Sequence, residues 1–261
     1  MLTDAHCHPC DLAEIFPGAE DERRQLGVMC AASATDLTEF EFCERLSRQA
    51  KTDGTVPLLP CFAVHPQLAA MEQLATLETL ASQARLAAIG ETGFDLFNEA
   101  FKKTETIQDE LFAAHLEIAL RYDLPLILHV RRAMHKVFAH SETLKKCRAV
   151  IFHSWPGTAG EGEALLKRGI NAFFSFGTSI MLNHHQAMRC CALFPADRLL
   201  AETDAPYQAL RGREFSSYGD LPRILEAAAA LRREAGTSGS TTKELEKIVE
   251  DNFRSAFSLS V

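Results

Sequence analysis

The strongest constraint on the fold of this 261-residue chain is the alternation of short β-prone runs with longer segments of helical periodicity. Strands that alternate with helices form βα units around a parallel sheet. A barrel of eight such units takes about 250 residues. The pattern therefore predicts an α/β fold made of one (β/α)₈ TIM barrel. The predicted strands are Leu2–His6, Gly27–Ala32, Pro57–Val64, Ala87–Glu91, Pro125–Val130, Ala149–His153, Ile170–Ser175 and Arg198–Thr203.

Helical segments separate these strands, and two extra C-terminal helices follow the eighth one. The segment Tyr207–Asp220 connects the barrel to the extra helices. The glycine- and serine-rich stretch 236–240 is too short and too near the end of the chain to divide domains, so we expect one domain over residues 1–261. The predicted helices include Leu37–Ala50, Leu68–Arg85, Thr106–Arg121, Gly160–Lys167, Leu221–Glu234 and Thr242–Phe257.

The composition is that of a globular protein, with 47% hydrophobic and 24% charged residues. A net charge of −8 argues against a broad electrostatic grip on nucleic acid. The eight cysteines follow no framework spacing, which favours reduced thiols. We find no signal peptide and no membrane-spanning run, and therefore expect a cytoplasmic protein without a membrane or an obligate protein partner.

The first predicted strand leads into the run Asp4-Ala5-His6-Cys7-His8. In an extended strand, alternation would turn Asp4, His6 and His8 to one face and Ala5 and Cys7 to the other. Two imidazoles on one face can hold a divalent metal ion, with Asp4 orienting a ring or lying beneath the site. Alternation also favours a packing role for Cys7.

Metal-competent side chains recur at the ends of other predicted strands, where the loops of a barrel meet. Four imidazoles and two carboxylates are too many for one tetrahedral ion with an open position, and they suit two ions about 4 Å apart. Glu91 is the best bridging ligand, and Asp204 could ligate one ion while it accepts a proton from the nucleophile. The predicted ligands are His6, His8, Glu91, His129, His153 and Asp204.

Each of these residues also has a structural explanation. His129 and His153 lie in apolar runs and could be hydrogen-bonded core histidines. Glu91 could be a solvated loop carboxylate, and Asp204, which precedes Ala205-Pro206, could cap a turn. Six such coincidences of position are required together, so we favour the shared metal site. Surface roles are expected for the histidines on predicted helices or at their starts, namely His115, His135, His140, His184 and His185.

Two further residues indicate an anionic substrate. Arg131 lies two positions after His129 and could hold a phosphate through two hydrogen bonds. His65 could donate to a non-bridging or leaving oxygen. Positive charge on the same rim could come from the segments after strands four and eight, which contain Lys102, Lys103, Arg211 and Arg213.

Six motifs occur in order along nearly the whole chain. They are Asp4-Ala5-His6-Cys7-His8, Val64-His65-Pro66, Ile89-Gly90-Glu91-Thr92-Gly93-Phe94-Asp95, Leu124-Pro125-Leu126-Ile127-Leu128-His129-Val130-Arg131, Phe152-His153-Ser154 and Glu202-Thr203-Asp204-Ala205-Pro206-Tyr207. In combination they resemble the TatD-type deoxyribonucleases, which belong to the metal-dependent amidohydrolase superfamily of (β/α)₈ barrels. The closing run Asn252–Phe257 is similar to the terminal helix of that family.

The resemblance implies a divalent-metal phosphodiesterase that acts on DNA, often as an exonuclease. It implies the same six metal ligands and phosphate contacts from His65 and Arg131. The chain departs from the family pattern at Pro9, Ala63 and Trp155-Pro156. A larger departure is residues 214–217, Glu-Phe-Ser-Ser, where the family usually has an Asn-Glu-Pro segment that helps to shape the mouth of the site.

The sequence thus predicts a metal-dependent hydrolase with two divalent ions and a DNA substrate. Mg²⁺, Mn²⁺ and Zn²⁺ stay open as the metal. One alternative is a small-molecule amidohydrolase or esterase, or an aminoacyl-tRNA deacylase, on the same barrel. Many such amidohydrolases bridge their metals with a modified lysine at strand four, where this chain has Glu91. The other alternative is a barrel that binds metal without turnover, and the intact ligand set argues against it.

Overall fold

Eight parallel strands form one sheet in which each strand pairs with the next along the chain. This computed structural model describes residues 1–259. The strand order β1 to β8, with helices between strands, is that of a nearly closed (β/α)₈ barrel, which confirms the predicted fold class. The strands are β1 Leu2–Cys7, β2 Val28–Ala34, β3 Leu58–Phe62, β4 Ala88–Asp95, β5 Leu126–Arg131, β6 Val150–Phe152, β7 Ala172–Phe176 and β8 Leu199–Ala201.

Helices surround the barrel, and the last two follow β8. The helices are α1 Pro9–Ile15, α2 Ala19–Leu26, α3 Leu37–Asp53, α4 Leu74–Ser82, α5 Glu99–Lys102, α6 Glu105–Tyr122, α7 Met134–Ala139, α8 Ser141–Leu144, α9 Ala159–Lys167, α10 His185–Leu193, α11 Leu221–Ala235 and α12 Thr242–Ala256. Their ends follow ordinary capping rules. For example, the Asp36 side chain accepts the Glu39 N–H at the start of α3, and Gly54 ends that helix at a φ of 63°.

The predicted helix Leu68–Arg85 is too long. Regular α-helix begins only at Leu74, after a 3₁₀ turn at Met71–Gln73. The N–H groups of Leu68 and Ala69 both bond to the carbonyl of His65, and Ala69 has a φ of 49°, so this segment is a turn. The sequence-based prediction gave no bounds for α1, α2 and α10.

Two apolar layers hold the barrel together. The larger one lies between the strands and the outer helices and includes Cys7, Cys30 and Phe112. The smaller one fills the barrel interior. It includes Ala5, Met29 and Ile127, and the remaining strands contribute further buried apolar side chains. Side chains of the C-terminal run, Phe253, Ala256 and Phe257, close this inner layer.

β1 does not alternate as predicted. Ala5 packs in the inner layer, whereas Cys7 packs in the outer one, although alternation would place them on the same face. The cause is a shift of pairing register against β2 between Asp4 and Cys7, which is the signature of a bulge. Cys7 is fully buried, so it does have a packing role. Its thiol lies near the carbonyl of Ala31 and the hydroxyl of Tyr218.

A second bulge lies in β4, where pairing with β5 shifts between Ile89 and Thr92. Glycine is required on both sides of it. A Cβ on Gly90 would lie 2.5 Å from the Cβ of Ile127. Gly93 has a φ of 132°, and a Cβ there would lie 2.2 Å from the carbonyl oxygen of His129. The bulge therefore lets β4 approach β5 closely at the level of Glu91.

The barrel closes where the ends of β1 and β8 meet. The N–H of Asp204 bonds to the carbonyl of His6, and the N–H of His8 bonds to the carbonyl of Ala205. The buried Asp4 carboxylate accepts the N–H of Thr203 at 2.9 Å and its hydroxyl at 2.6 Å. Asp4 therefore lies beneath the rim and supports the backbone there, and it does not orient an imidazole.

None of the helices within residues 1–259 is long and apolar enough to cross a membrane. All eight cysteines are free thiols.

Candidate metal centre

The carboxyl ends of the strands surround a cavity of about 950 Å³. Five of the predicted ligands, including His8, line this cavity, and so do His65 and Arg131. His6 is fully buried and lies directly below, with its Nε2 3.1 Å from Nε2 of His8. The cavity-lining ligands besides His8 are Glu91, His129, His153 and Asp204. All six residues predicted as ligands are thus brought to one place.

Glu91 occupies the centre of this group, and each of its two oxygens faces different imidazoles. Oε2 lies 3.3 Å from Nε2 of His6 and 3.8 Å from Nε2 of His8. Oε1 lies 2.6 Å from Nδ1 of His129 and 3.4 Å from Nε2 of His153. A carboxylate placed between two pairs of imidazoles has the disposition that a bridging ligand needs.

Asp204 completes the group on the side of β1. Its Oδ1 lies 3.5 Å from Nε2 of His6 and 3.6 Å from Nε2 of His8. Its Oδ2 accepts a 2.7 Å hydrogen bond from the side chain of Gln208. Asp204 has a φ of 53°, and Gln208 follows in the same loop with a φ of 51°. Gln208 also bonds to the Ser154 hydroxyl, and this contact fixes the carboxamide.

A second layer of polar groups lies against the outer nitrogens of three of the imidazoles. The Ser33 hydroxyl lies 3.1 Å from Nδ1 of His6, and Oδ2 of Asp95 lies 3.0 Å from Nε2 of His129. Oε1 of Glu202 lies 3.1 Å from Nδ1 of His153. Such partners hold the inner nitrogen towards a metal and increase its basicity.

Sequence reasoning did not identify Ser33, Asp95, Glu202 or Gln208. The spacing of Asp95 and Glu202 did indicate a role at the site. Each lies an even number of residues from a predicted ligand in the same segment, and such residues share one face of an extended strand. Ser33 and Gln208 carried none, because their roles depend on which strands and loops become neighbours in the barrel.

The carboxylates and imidazoles of the group stabilise each other's charged forms. Burial alone would raise the pKa of Glu91, but the imidazoles of His153, His6, His65 and His129 hold it well below its usual range. Burial disfavours the charged ring of His153 as well, yet Glu202, Glu91 and Asp204 raise its pKa to about 10. Nearby carboxylates also raise the pKa values of His8 and His129 against the effect of burial.

Within residues 1–259, no lysine or arginine lies within 4.0 Å of Glu91 or Asp204, and their ion-pair partners are all imidazoles. The buried carboxylates therefore draw protons onto histidines that could bind a cation when neutral. Imidazole nitrogens with carboxylate oxygens are a donor set suited to zinc, manganese and related divalent ions. The residues present thus fit a divalent metal centre.

His65 and Arg131 both lie beside the metal-competent group. The N–H of Gln67 donates to Nδ1 of His65 at 3.2 Å, so a neutral His65 carries its proton on Nε2. That Nε2 lies 3.4 Å from Oε2 of Glu91. The Arg131 guanidinium lies 3.6 Å from Oδ2 of Asp95 and is partly exposed to the cavity. A donor and a cation therefore stand at one side of the group.

The surface role predicted for His115 is wrong. His115 is fully buried in α6, where its Nε2 accepts the N–H of Val64 at 3.0 Å and its Nδ1 lies 2.5 Å from the carbonyl of Leu111. It lies four residues after Leu111 on the buried face of the helix, a position that predicts burial. Its hydrogen bond holds the backbone immediately before His65.

The expectation that four further cations lie on the rim is also corrected. Arg131 is the only lysine or arginine among the cavity-lining residues within the described part of the chain. Lys102 instead pairs with Glu99, and Arg213 with Asp220. The other two expected rim cations, Lys103 and Arg211, are also outside the lining.

The atypical residues 214–217 do not line the cavity either. Phe215 stacks on Phe16, with ring centroids 5.7 Å apart. The buried Ser216 hydroxyl bonds to the carbonyl of Tyr207, and the Ser216 N–H bonds to the carbonyl of Pro206. The segment therefore supports, from behind, the turn that carries Tyr207 to the mouth of the cavity.

Known proteins are similar to this chain over most of its length. The family described as TatD related DNase matches residues 3–258. The metal-dependent hydrolase YjjV of Escherichia coli K12, which is named as uncharacterised, is 28% identical over 249 residues, with 88% of this chain and 90% of that protein covered. The 3'-5' ssDNA/RNA exonuclease TatD of Pantoea vagans is 33% identical over 207 residues, with 76% of each chain covered.

The crystal structure of Escherichia coli YjjV, a TatD homologue, is similar over 99% of this chain and 98% of that chain. The TM-score is 0.83 at 25% sequence identity. The similarity therefore extends over the barrel, the loops that build the cavity and the two C-terminal helices.

Proposed function

This chain belongs to the TatD related DNase family, and from that premise we propose that it is a metal-dependent nuclease that hydrolyses the phosphodiester bonds of DNA. The relatives named as metal-dependent hydrolase and as 3'-5' ssDNA/RNA exonuclease support hydrolysis of nucleic acid. We further propose that cleavage removes nucleotides from the end of a single strand.

The observation that carries this proposal is the position of Glu91 between two pairs of imidazoles. Its two oxygens face His6 and His8 on one side and His129 and His153 on the other. A glutamate shared in this way supports two divalent cations rather than one. The proposed ligands are those predicted from the sequence: His6, His8, Glu91, His129, His153 and Asp204.

Divalent cations bound to these residues would lower the pKa of a water molecule and withdraw negative charge from phosphate oxygens. The protein supplies the proton transfers and the substrate contacts. Asp204 is placed to accept the proton of the attacking water, because its Oδ1 faces the imidazole pair while Gln208 holds its Oδ2. A carboxylate whose pKa is held low by His153, His8 and His6 against burial is ionised at neutral pH, as a base must be.

The phosphate is oriented by two side chains. Arg131 offers a planar guanidinium for two non-bridging oxygens. His65 presents an N–H at Nε2 because its Nδ1 accepts the Gln67 N–H. That donor suits a leaving or non-bridging oxygen, and it is the reason we assign His65 to substrate rather than to metal.

The test is a hydrolysis panel on protein freed of metal with a chelator. A single-stranded oligodeoxynucleotide, its duplex and a small ester without phosphate are each incubated with Mg²⁺, Mn²⁺ or Zn²⁺. We expect nucleotide release from the single strand with at least one ion, and release that is slower on the order of 10²–10³-fold with the Glu91→Gln variant. Ester cleavage without any phosphodiester cleavage would favour an amidohydrolase or esterase, and no turnover of any substrate would favour a barrel that only binds metal.

A further inference from the structure

An exposed aromatic side chain stands beside the cavity with two guanidinium groups over its ring. Phe97 follows β4 and is 43% exposed. Cζ of Arg131 lies 4.0 Å from the centre of its ring, and Cζ of Arg132 lies 4.7 Å from it. Both distances are within the range of cation–π contact.

The backbone at Arg132 explains how consecutive residues reach the same ring. In extended backbone, neighbouring side chains point to opposite faces, so Arg131 and Arg132 would diverge. Arg132 instead has a φ of 55°, in the left-handed region that non-glycine residues seldom adopt. Its Nη1 also donates to the carbonyl of Phe97 at 3.2 Å. The left-handed backbone at Arg132 therefore brings its guanidinium to the same ring as that of Arg131.

The positive charge of this pair is poorly neutralised within the protein. In the described part of the chain, no carboxylate lies within 4.0 Å of the Arg132 guanidinium, whose hydrogen-bond acceptor is a carbonyl. The carboxylate that lies within 4.0 Å of Arg131, that of Asp95, already accepts a hydrogen bond from the Gln67 side chain and lies against His129. In a chain of net charge −8, two adjacent guanidinium groups form a local cationic surface.

We propose that Phe97, Arg131 and Arg132 form a docking surface for the single strand that continues from the scissile phosphate. This rests on the proposed function and names the part of the protein that holds the strand outside the cavity. Arg131 lines the cavity, and Phe97 connects it to Arg132, so the surface is continuous with the site. Arg131 binds the scissile phosphate, Arg132 binds the adjacent one, and Phe97 supports both cations with its ring.

The test measures binding without turnover. A fluorescein-labelled single strand of eight thymidines is titrated with the full-length protein in EDTA, and anisotropy is followed at several salt concentrations. Arg132→Ala should weaken binding about 5-fold at low salt and lower the slope of log K against log salt by about 0.7, the value for one phosphate contact on a single strand. Phe97→Leu should weaken binding in the same direction.

Arg45→Ala is the matched control, because Arg45 is an exposed arginine stacked on Phe42 of α3 at 5.5 Å and lies outside the cavity lining. It should bind as the wild type does. The inference is overturned if the wild type does not bind the strand, if Arg132→Ala matches the wild type, or if Arg45→Ala weakens binding equally. Equal capture of an octaglutamate peptide, with the same loss in Arg132→Ala, would assign the surface to acidic proteins instead.

The proposed function fails by a different result. Hydrolysis of bis(p-nitrophenyl) phosphate requires the cavity but no second phosphate. If the wild type does not cleave this diester or the oligonucleotide with any divalent ion, the nuclease proposal fails, whatever the binding assay shows. If the wild type cleaves both substrates and Arg132→Ala impairs neither cleavage of the oligonucleotide nor its binding, only the docking surface fails.

Discussion

Replacing His115 by glutamine should make the folded protein more resistant to acid. Burial lowers the pKa of His115 from 6.5 to about 4 in the folded chain. Between these pH values the unfolded chain binds a proton that the folded chain does not, so stability falls as the pH decreases from 6.5 towards 4. Above pH 6.5 the imidazole is neutral in both states and has no such effect.

The magnitude follows from the two pKa values. One pKa unit corresponds to about 1.36 kcal/mol. Relative to pH 8, this single group therefore lowers the free energy of unfolding by about 2 kcal/mol at pH 5 and by about 3 kcal/mol at pH 4. Glutamine keeps a side-chain acceptor for the Val64 N–H and does not titrate. When the pH is lowered from 8 to 5, we therefore expect the free energy of unfolding to fall by about 2 kcal/mol less in His115→Gln than in the wild type.

Urea unfolding in EDTA, followed by circular dichroism at each pH, measures this difference. His135→Gln, which removes an exposed imidazole from α7, is the matched control and should follow the wild-type curve. A constant difference in the free energy of unfolding between His115→Gln and wild type from pH 8 to pH 5 would contradict this prediction, because it would mean that His115 titrates alike in the folded and unfolded chains.

Three further predictions concern the candidate site. Glu91→Gln should lower kcat on the order of 10²–10³-fold and reduce bound metal measured by mass spectrometry, and an unchanged metal content would remove Glu91 from the site. Arg131→Ala should raise KM for phosphodiesters about 10-fold or more with metal content unchanged, since it removes one charged hydrogen-bonding group, whereas a normal KM would assign Arg131 to the surface. Gln208→Leu should weaken metal binding about 10-fold in calorimetric titration, because Asp204 loses the donor to its Oδ2, and wild-type affinity would show that this hydrogen bond does not position Asp204.

The barrel and the convergence of the metal-competent residues could be predicted because parallel strands present their carboxyl ends on one rim. Once eight strands are identified, residues at their ends are neighbours regardless of sequence separation. His6 and Asp204 are nearly 200 positions apart in the chain, yet they are joined by a backbone hydrogen bond.

The bulges in β1 and β4 could not be predicted, because they depend on contacts between strands. The extra residue near Glu91 is accommodated because Gly90 lets the backbone approach Ile127, a contact that exists only after the strands pair. In β1, the predicted alternation was wrong between Ala5 and Cys7 for the same reason. His6 and His8 nevertheless both reach the site, His6 from the bulged end of β1 and His8 from the position just after the strand.

His115 shows a different limit. The apolar periodicity of α6 already indicated which face of the helix is buried, and His115 lies on that face. Its polarity favoured a surface role, and the partner that makes burial possible, the N–H of Val64, belongs to a distant segment. Polar groups in a core are identified with certainty only when their hydrogen-bond partners are known.

Anomalous diffraction from crystals soaked in Mn²⁺ tests the shared metal centre most directly. We expect two anomalous peaks next to Glu91, one with His6 and His8 as neighbours and the other with His129 and His153. Peaks confined to exposed histidines such as His184 and His185, with none near Glu91, would contradict it.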